Sequence, residues 1–256
     1  MTDYLPASEA IKLSNIPAST FYRLVREGKL HKYLPTPVSK QGLYAREDIE
    51  RIRSEYKRET RKNETGATDW ISTADLGHFY DLEYSVYQEQ TRDPSIIRKW
   101  FARNSYLCRI LYNHADRREI WGGINILPLE EETILKLLHQ EILDSDLTPL
   151  DILTYEHPGM YTLYVTSVII RPEKRAHFKL LLDSVFDFWC EQAPDRQIAR
   201  IYARATTESG EMMVKKLFFS PLLHISDEAF MLDVRRPNPS RIVQNFQNCI
   251  RQRTQE

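Results

Sequence analysis

The chain has 256 residues, 42% hydrophobic and 11% aromatic, with 35 Lys+Arg against 36 Asp+Glu. That is enough apolar material for one large or two ordinary domains with real cores. No apolar run approaches the ~20 residues of a membrane-spanning helix, so a membrane protein is excluded. Cys108, Cys190 and Cys249 are scattered with no CxxC pair, which argues against a disulfide framework and for a reducing compartment. The near-zero net charge hides an asymmetry. Residues 1–62 hold 13 Lys/Arg against 8 Asp/Glu, and the rest hold 22 against 28. A basic head on an acidic body is the pattern expected if only the head touches nucleic acid. The N-terminus shows no charged-then-apolar leader, so a cytoplasmic setting is expected.

The head comes first in the chain. Ala7–Leu13 fits a short helix with Glu9 in its first turn, broken by Ser14-Asn15-Ile16-Pro17. Ala18–Glu27 fits a second helix, opened by Pro17 and the Ser19 and Thr20 hydroxyls and closed by Gly28. Phe21, Leu24 and Val25 share one face and are predicted core; Ser19, Thr20, Tyr22, Arg23 and Arg26 take the other. Leu30–Gly42 carries Pro and Lys and suits a hairpin wing. A third helix runs from Glu47 to about Lys62.

This order resembles the winged helix-turn-helix of the MerR and excisionase families. The residues that carry the likeness are Glu9-Ala10, Ser19 to Val25, Glu27-Gly28-Lys29-Leu30, and Leu43-Tyr44 before Glu47-Asp48-Ile49. The proline-rich Tyr33–Val38 departs from the family's short basic wing turn. The resemblance implies that Arg23 and Arg26 read bases or phosphates of double-stranded DNA, with Ser19, Thr20 and Tyr22 beside them. Lys29, Lys32, Lys40 and Arg46 would be positioning contacts to phosphate.

The polar, Gly-containing stretch Lys57–Asp69 marks a boundary. The expected organisation is a head over 1–56, a linker over 57–68, an α/β domain over 69–236 and a terminal helix over 237–256. In the body, Trp70-Ile71 starts a short strand, and Thr73–Gln88 reads as a helix with Leu76, Phe79, Tyr80, Glu83 and Tyr87. Asp93-Pro94 opens another helix. Ser105–Tyr112 and Glu119–Leu127 pair around a turn at 113–118, and Glu130–Leu143 is an amphipathic helix. Tyr161–Ile170 is apolar enough to be a central strand. Arg175–Cys190 is a long helix, Ile198–Ala205 a strand, Ser209–Phe218 a helix and Ala229–Val234 a last strand. Ile242, Val243, Phe246 and Ile250 give the terminal helix an apolar stripe that either packs on its own domain or makes a dimer.

This second order resembles the GNAT acetyltransferase fold, an α/β (α+β) architecture with a mixed sheet. Val168-Ile169-Ile170-Arg171-Pro172-Glu173-Lys174-Arg175 resembles its strand-to-helix junction V-x-x-x-P-x-x-R. Ile201–Ala205 followed by Ser209–Phe219 resembles the strand and helix that end in Y-E-K-L-G-F. Active members place glycines after the junction arginine so that backbone N–H groups cradle the coenzyme A pyrophosphate. Here the run is Arg175-Ala176-His177-Phe178-Lys179-Leu180. Val214 stands at the position of the thiolate-protonating tyrosine, and Phe218 at that of the late glycine. The resemblance with these departures implies a domain without acetyl transfer. Ile169, Ile170, Arg175, His177 and Lys179 remain candidates for an anionic ligand or CoA.

Other chemistry is weakly signalled. The seven histidines are dispersed with no metal-binding spacing, so no metal is expected. Glu156-His157 precedes the central strand and reads as an ordinary polar loop. Gly122-Gly123 suggests a bulge. Together these features lead to an expected DNA-binding transcriptional regulator with a GNAT-like sensor or dimerisation domain. It would be a homodimer with a small-molecule effector and no cofactor. The alternative is an active acyl-CoA-dependent N-acyltransferase, using acetyl-CoA or another acyl-CoA, that its head recruits to DNA or to a protein.

Overall fold

The computed structural model describes residues 3–35, 42–63, 65–87 and 93–255, without the side chains of 57–63 and 255. The chain divides into two compact units, Met1–Glu64 and Thr65–Glu256. Each is described by itself.

The first unit contains β1 (Tyr4–Pro6), α1 (Ala7–Ser14), α2 (Ala18–Arg26), β2 (Leu43–Ala45) and α3 (Arg46–Asn63). α1 stops because Asn15 turns left-handed at φ 54°, a conformation its short polar side chain tolerates. Pro17 opens α2 with no side-chain cap, so the Ser19 and Thr20 hydroxyls do not play the capping part expected of them. Gly28, at φ 71°, lets the chain leave α2. β1 pairs antiparallel with β2 through Leu5↔Tyr44. That pairing is invisible to local pattern, because three residues show no period and the partner lies some forty positions on. Phe21, Leu24, Leu30, Tyr44, Ile49 and Ile52 close the core; Val25 is only half-buried. The stretch expected to be a linker is helical to Asn63 and becomes a strand at Gly66. Of the expected wing, only an isolated bridge, Tyr33↔Leu43, lies among the described residues.

The second unit is built on one seven-stranded sheet. Its elements are β3 (Gly66–Trp70), α4 (Leu76–Tyr87), α5 (Pro94–Arg103), β4 (Cys108–Asn113), β5 (Asp116–Pro128), α6 (Glu131–Leu138) and β6 (Gly159–Ile170). A 3-10 turn (Pro172–His177) leads into α7 (Phe178–Gln192), followed by β7 (Arg196–Arg204), α8 (Glu208–Lys216), β8 (Ser220–Pro221), β9 (Ala229–Asp233) and α9 (Arg241–Gln255). Strand order is β3-β4-β5-β6-β7-β9-β8. β6 and β7 run parallel and the other neighbours antiparallel. This is a mixed α/β architecture built on one large mixed sheet. One face buries Trp100, Leu127, Ile134, Tyr164 and Tyr202 beneath α5 and α6. The other buries Trp121, Leu163, Leu181, Val185, Trp189 and Phe246 beneath α7 and α9.

Several local expectations change in this setting. The helix expected over 130–143 ends at Leu138, because Gln140 takes a left-handed φ of 59°. The long helix expected from Arg175 begins only at Phe178, after the 3-10 turn. Gly122 and Gly123 pair with Leu111 and Ile110, and the register steps at the next pair, Tyr112↔Ile120, so a bulge at Trp121 adjoins the glycines as expected. These glycines serve close packing: a Cβ at Gly122 would lie 2.5 Å from the Ile169 carbonyl oxygen, and one at Gly123 equally close to the Phe79 ring. The α9 stripe lies within the main core, with Phe246 stacked on Phe186 at 4.8 Å. Cys190 and Cys249 join α7 to α9 as a disulfide, with Cα atoms 5.8 Å apart. That corrects the expectation of unpaired cysteines; the partners are 59 residues apart and carry no shared local signal.

Phe218 ends α8 in a left-handed conformation at φ 56°, with its side chain 52% exposed. Its N–H bonds the Lys215 carbonyl, and the next N–H bonds that of Val214. A Cβ at such a position costs roughly 1–2 kcal/mol, while glycine loses about 0.5–1 kcal/mol in chain entropy. Phe218→Gly is therefore expected to raise stability by about 0.5–1 kcal/mol. A denaturant midpoint at or below that of the parent would refute this.

Candidate functional site

The sheet is irregular at one place on two sides at once. β6 follows β7 in parallel as far as Val165↔Ala203, yet continues to Ile170. Across β5 the register steps from Asn125↔Ser167 to Ile126↔Val165, leaving Thr166 as an extra, bulged residue. Beyond the bulge, 166–170 have β5 on one side and no strand partner on the other among the described residues. β7 stops at Arg204, one residue past the last pair, which leaves a gap in the pairing along the backbone N–H and C=O groups of β6. Open α/β sheets hold ligands beyond the carboxyl ends of their parallel strands, and the end of β7 lies beside this stretch.

A polar cluster sits beneath this gap. Glu83 of α4 is only 2% exposed. Asn125 Nδ2 donates to Glu83 Oε1 at 2.8 Å and to Ser167 Oγ at 2.7 Å. The Ser167 hydroxyl lies 3.4 Å from the same carboxylate oxygen. Three chain segments therefore place a buried carboxylate against the residue that follows the bulge. Isolated buried charge is costly, so a fixed polar network holding a glutamate here is informative. Cys108 lies nearby on β4, fully buried; burial pushes its thiol well up, helped by the charges of Glu83 and Asp75. It is a packing group, not a nucleophile.

At the far end of β6 the 3-10 turn replaces a glycine loop. The Lys174 N–H bonds the Arg171 carbonyl and the Phe178 N–H bonds that of Arg175, so these amides are spent inside the turn. The Phe178 ring packs onto the main core. Arg171 donates from Nε to the Ile120 carbonyl at 2.8 Å. Lys174 is buried, with Nζ 4.1 Å from the Trp121 ring centroid, and His177 packs on the same indole at 5.0 Å. Trp121 Nε1 donates to Glu119. Burial raises the Glu119 carboxyl, but bonds from Asn113 and Trp121 outweigh it and hold it below its ordinary value. The result is a cationic helix start whose charge comes from side chains.

Of the residues expected from the sequence, Ile169 is buried toward α4 beside Phe79, and Ile170 packs half-buried toward α7. Arg175 is exposed at the turn, His177 lies on Trp121, and Lys179 is paired with Asp183. Val214 is buried against Ala203 and Phe230. Glu156 and His157 lie exposed at the opposite end of β6, lining a cavity of about 420 Å³ that is remote from the gap. In the first unit, Ser19, Tyr22 and Arg26 are exposed on α2 and Thr20 is half-buried. Arg23 and Lys29 both pair with Glu27, at 3.0 and 3.2 Å. Lys32 is exposed, and Arg46 is held by Asp3 at 2.6 Å. Lys40 lies outside the described residues. Glu83, Asn125 and Ser167 were missed. The available signal was Glu83 itself, a charged residue within the apolar stripe Leu76, Phe79, Tyr80, Glu83, Tyr87.

No family model matches the chain, and no curated protein matches it. Among solved structures it is similar to the GNAT family N-acetyltransferase YhbS from Escherichia coli in complex with CoA. Identity there is 8%, over 72% of this chain and 86% of that one, with a TM-score of 0.45. It is also similar to NAA60 from Arabidopsis thaliana in complex with acetyl-CoA, at 13% identity over 65% and 97% of the two chains, TM-score 0.42. The loading GNATL domain of CurA from Lyngbya majuscula is 18% identical over 55% of this chain, TM-score 0.40, and the chain spans 65% of that domain. The expectation of no cofactor is corrected by these neighbours, since two of them were solved with CoA or acetyl-CoA in place.

Proposed function

We propose that residues 65–256 form an acyl-CoA-dependent N-acyltransferase domain with the gap between β6 and β7 as its reaction site. The observation that carries this reading is the coincidence of the end of β6–β7 pairing, the bulge at Thr166 and the buried Glu83–Asn125–Ser167 cluster. The groups present fit an elongated ligand with amides in its arm and a diphosphate at one end. The free edge of β6 offers amide partners, and Arg175 and Lys179 offer positive charge at the start of α7. The glycine-free turn supplies that charge through side chains in place of a backbone cradle, which favours weaker hold on the diphosphate. Bound acyl-CoA supplies an acyl carbon activated as a thioester. The chain's own task is to orient an amine below the gap and remove its proton. Glu83 is positioned to take that proton, and Asn125 and Ser167 fix the carboxylate that receives it.

Acetyl-CoA added to the purified chain is expected to raise its melting temperature saturably. Stabilisation reaches about 2.7 kcal/mol when free ligand is 100 times its Kd. No shift at millimolar acetyl-CoA would sink the reading.

A second reading concerns the first unit. The observation in its favour is the outward face of α2, where Ser19, Tyr22, Arg23 and Arg26 are all exposed. In this reading the head binds double-stranded DNA and brings the acyltransferase to its target. Replacing Arg23 and Arg26 together by Ala is expected to lower duplex affinity and flatten its salt dependence. Unchanged binding would remove α2 from the contact. A homodimer spanning two half-sites would need a surface other than the α9 stripe, which is spent on α7.

A further inference from the structure

A cleft between α4 and α5 reaches the buried carboxylate of the polar cluster. Its cavity is about 330 Å³, near the lower bound of about 300 Å³ for small-ligand sites. Leu76, Phe79 and Ile97 give it apolar walls, and Glu83, His78, Tyr80, Asp81 and Arg98 line it as well, Asp81 as an exposed carboxylate. These polar groups differ in kind. Glu83 is almost wholly buried. Arg98 is exposed on α5 and has no ion-pair partner among the described residues. A small cavity with a buried carboxylate, an uncommitted guanidinium and apolar walls matches a molecule that carries an ammonium, a carboxylate and an apolar side chain.

We infer that the cleft takes a free amino acid with an apolar side chain as the acyl acceptor. The ammonium goes to Glu83, the carboxylate to Arg98 with His78 beside it, and the side chain to Leu76, Phe79 and Ile97. Guanidinium suits this role because it binds carboxylate through two parallel hydrogen bonds. The size of the cleft and the exposed Arg98 guanidinium favour the free acid over an internal peptide segment, which has no carboxylate at that place. The inference rests on the acyltransferase reading for what becomes of the amine, though not for the binding itself. In the transfer the ammonium gives one proton to Glu83 and becomes a free amine, its nitrogen bonds the acyl carbon, the carbon–sulfur bond breaks, and the second nitrogen proton, lost as the amide forms, passes to the thiolate, which leaves as the thiol.

The test measures binding by calorimetry on the full chain. The probes are leucine, methionine and phenylalanine, with leucinamide, isopentylamine and a dipeptide with N-terminal leucine for comparison. At least one free amino acid is expected to bind, with its amide about tenfold or more weaker. Arg98→Gln, at an exposed position, is expected to abolish the preference for acid over amide. Glu83→Gln is expected to weaken acid, amide and amine together. Equal binding of acid and amide, binding of the dipeptide alone, or binding of none of the amino acids would overturn the inference. Acetyl-CoA is titrated separately into the same samples. Failure there removes the acyl-transfer reading while amino-acid binding stands or falls on its own isotherms.

Discussion

Glu83→Gln is expected to lower kcat for acyl transfer about 100-fold or more while leaving acetyl-CoA binding unchanged. Removing a positioned general base commonly costs 10²–10⁴-fold in rate, roughly 2.7 kcal/mol or more of barrier. The substitution is nearly isosteric. A glutamine Oε1 can still accept from Asn125 Nδ2, so the buried network keeps its main bond and the fold is retained. What is lost is the ability to receive a proton. Steady-state rates of thiol release, with a melting curve for each variant, decide the matter. A kcat within about threefold of the parent would show that Glu83 is only a structural anchor of α4, and the reaction site would then need another base.

Arg117→Ala is expected to destabilise the second unit by about 3 kcal/mol, for a reason unconnected with catalysis. Arg117 Nε contacts both oxygens of Asp75 at 3.0 and 3.1 Å, and Nη2 contacts Oδ2 at 2.9 Å. Nη1 reaches Asp69 at 2.7 Å, Nη2 reaches the Trp70 carbonyl at 3.0 Å, and the guanidinium covers the Tyr112 ring at 4.9 Å. The side chain thus joins β3, the loop before α4 and the β4–β5 hairpin. Asp75 is 4% exposed, so truncating Arg117 strands a buried carboxylate. Stranding one member of a buried pair costs about 3–5 kcal/mol, and the lower end applies because Arg117 is open to water on its outer side. For a domain of this size that is roughly 6–12 °C in Tm.

The pH dependence has a definite sign. Burial raises the Asp75 carboxyl, but the Arg117 guanidinium and the Ser72 hydroxyl and amide outweigh it, holding it below its ordinary 3.8. A carboxyl depressed in the folded state contributes stability above its unfolded value and loses it as pH falls through the folded one. The gap between parent and Arg117→Ala is therefore expected to be full near neutrality and to shrink below about pH 4, where a protonated Asp75 no longer needs a cation. A gap constant from pH 7 to pH 3 would contradict that account.

The fold was legible to the extent that it rests on local rules. Asp93-Pro94 caps α5 as expected, with Asp93 accepting from the Ser95 N–H. Apolar patterning marked β6 as the long central strand, and the order of elements gave the mixed α/β architecture. Where readings failed, a distant partner had prevailed. Gly122-Gly123 did mark a bulge, at the adjoining Trp121, but what requires the glycines themselves is the close approach of Ile169 and Phe79. The bulge at Thr166 has no glycine to mark it, because it comes from the register between β5 and β6.

The sequence by itself determined the ends of α1 and α2, the start of α5, the absence of a glycine cradle after Arg175 and the charge difference between head and body. Each is a property of neighbouring residues or of a short period. Only the tertiary structure decided that Glu83, Asn125 and Ser167 meet, across separations of 42 and 84 residues, beneath the point where β6 leaves β7. It likewise decided that Cys190 finds Cys249 and that the α9 stripe is consumed by α7. The physical reason is the same each time. Strand register and helix docking fix which distant side chains share a volume, and a reaction site consists of that sharing.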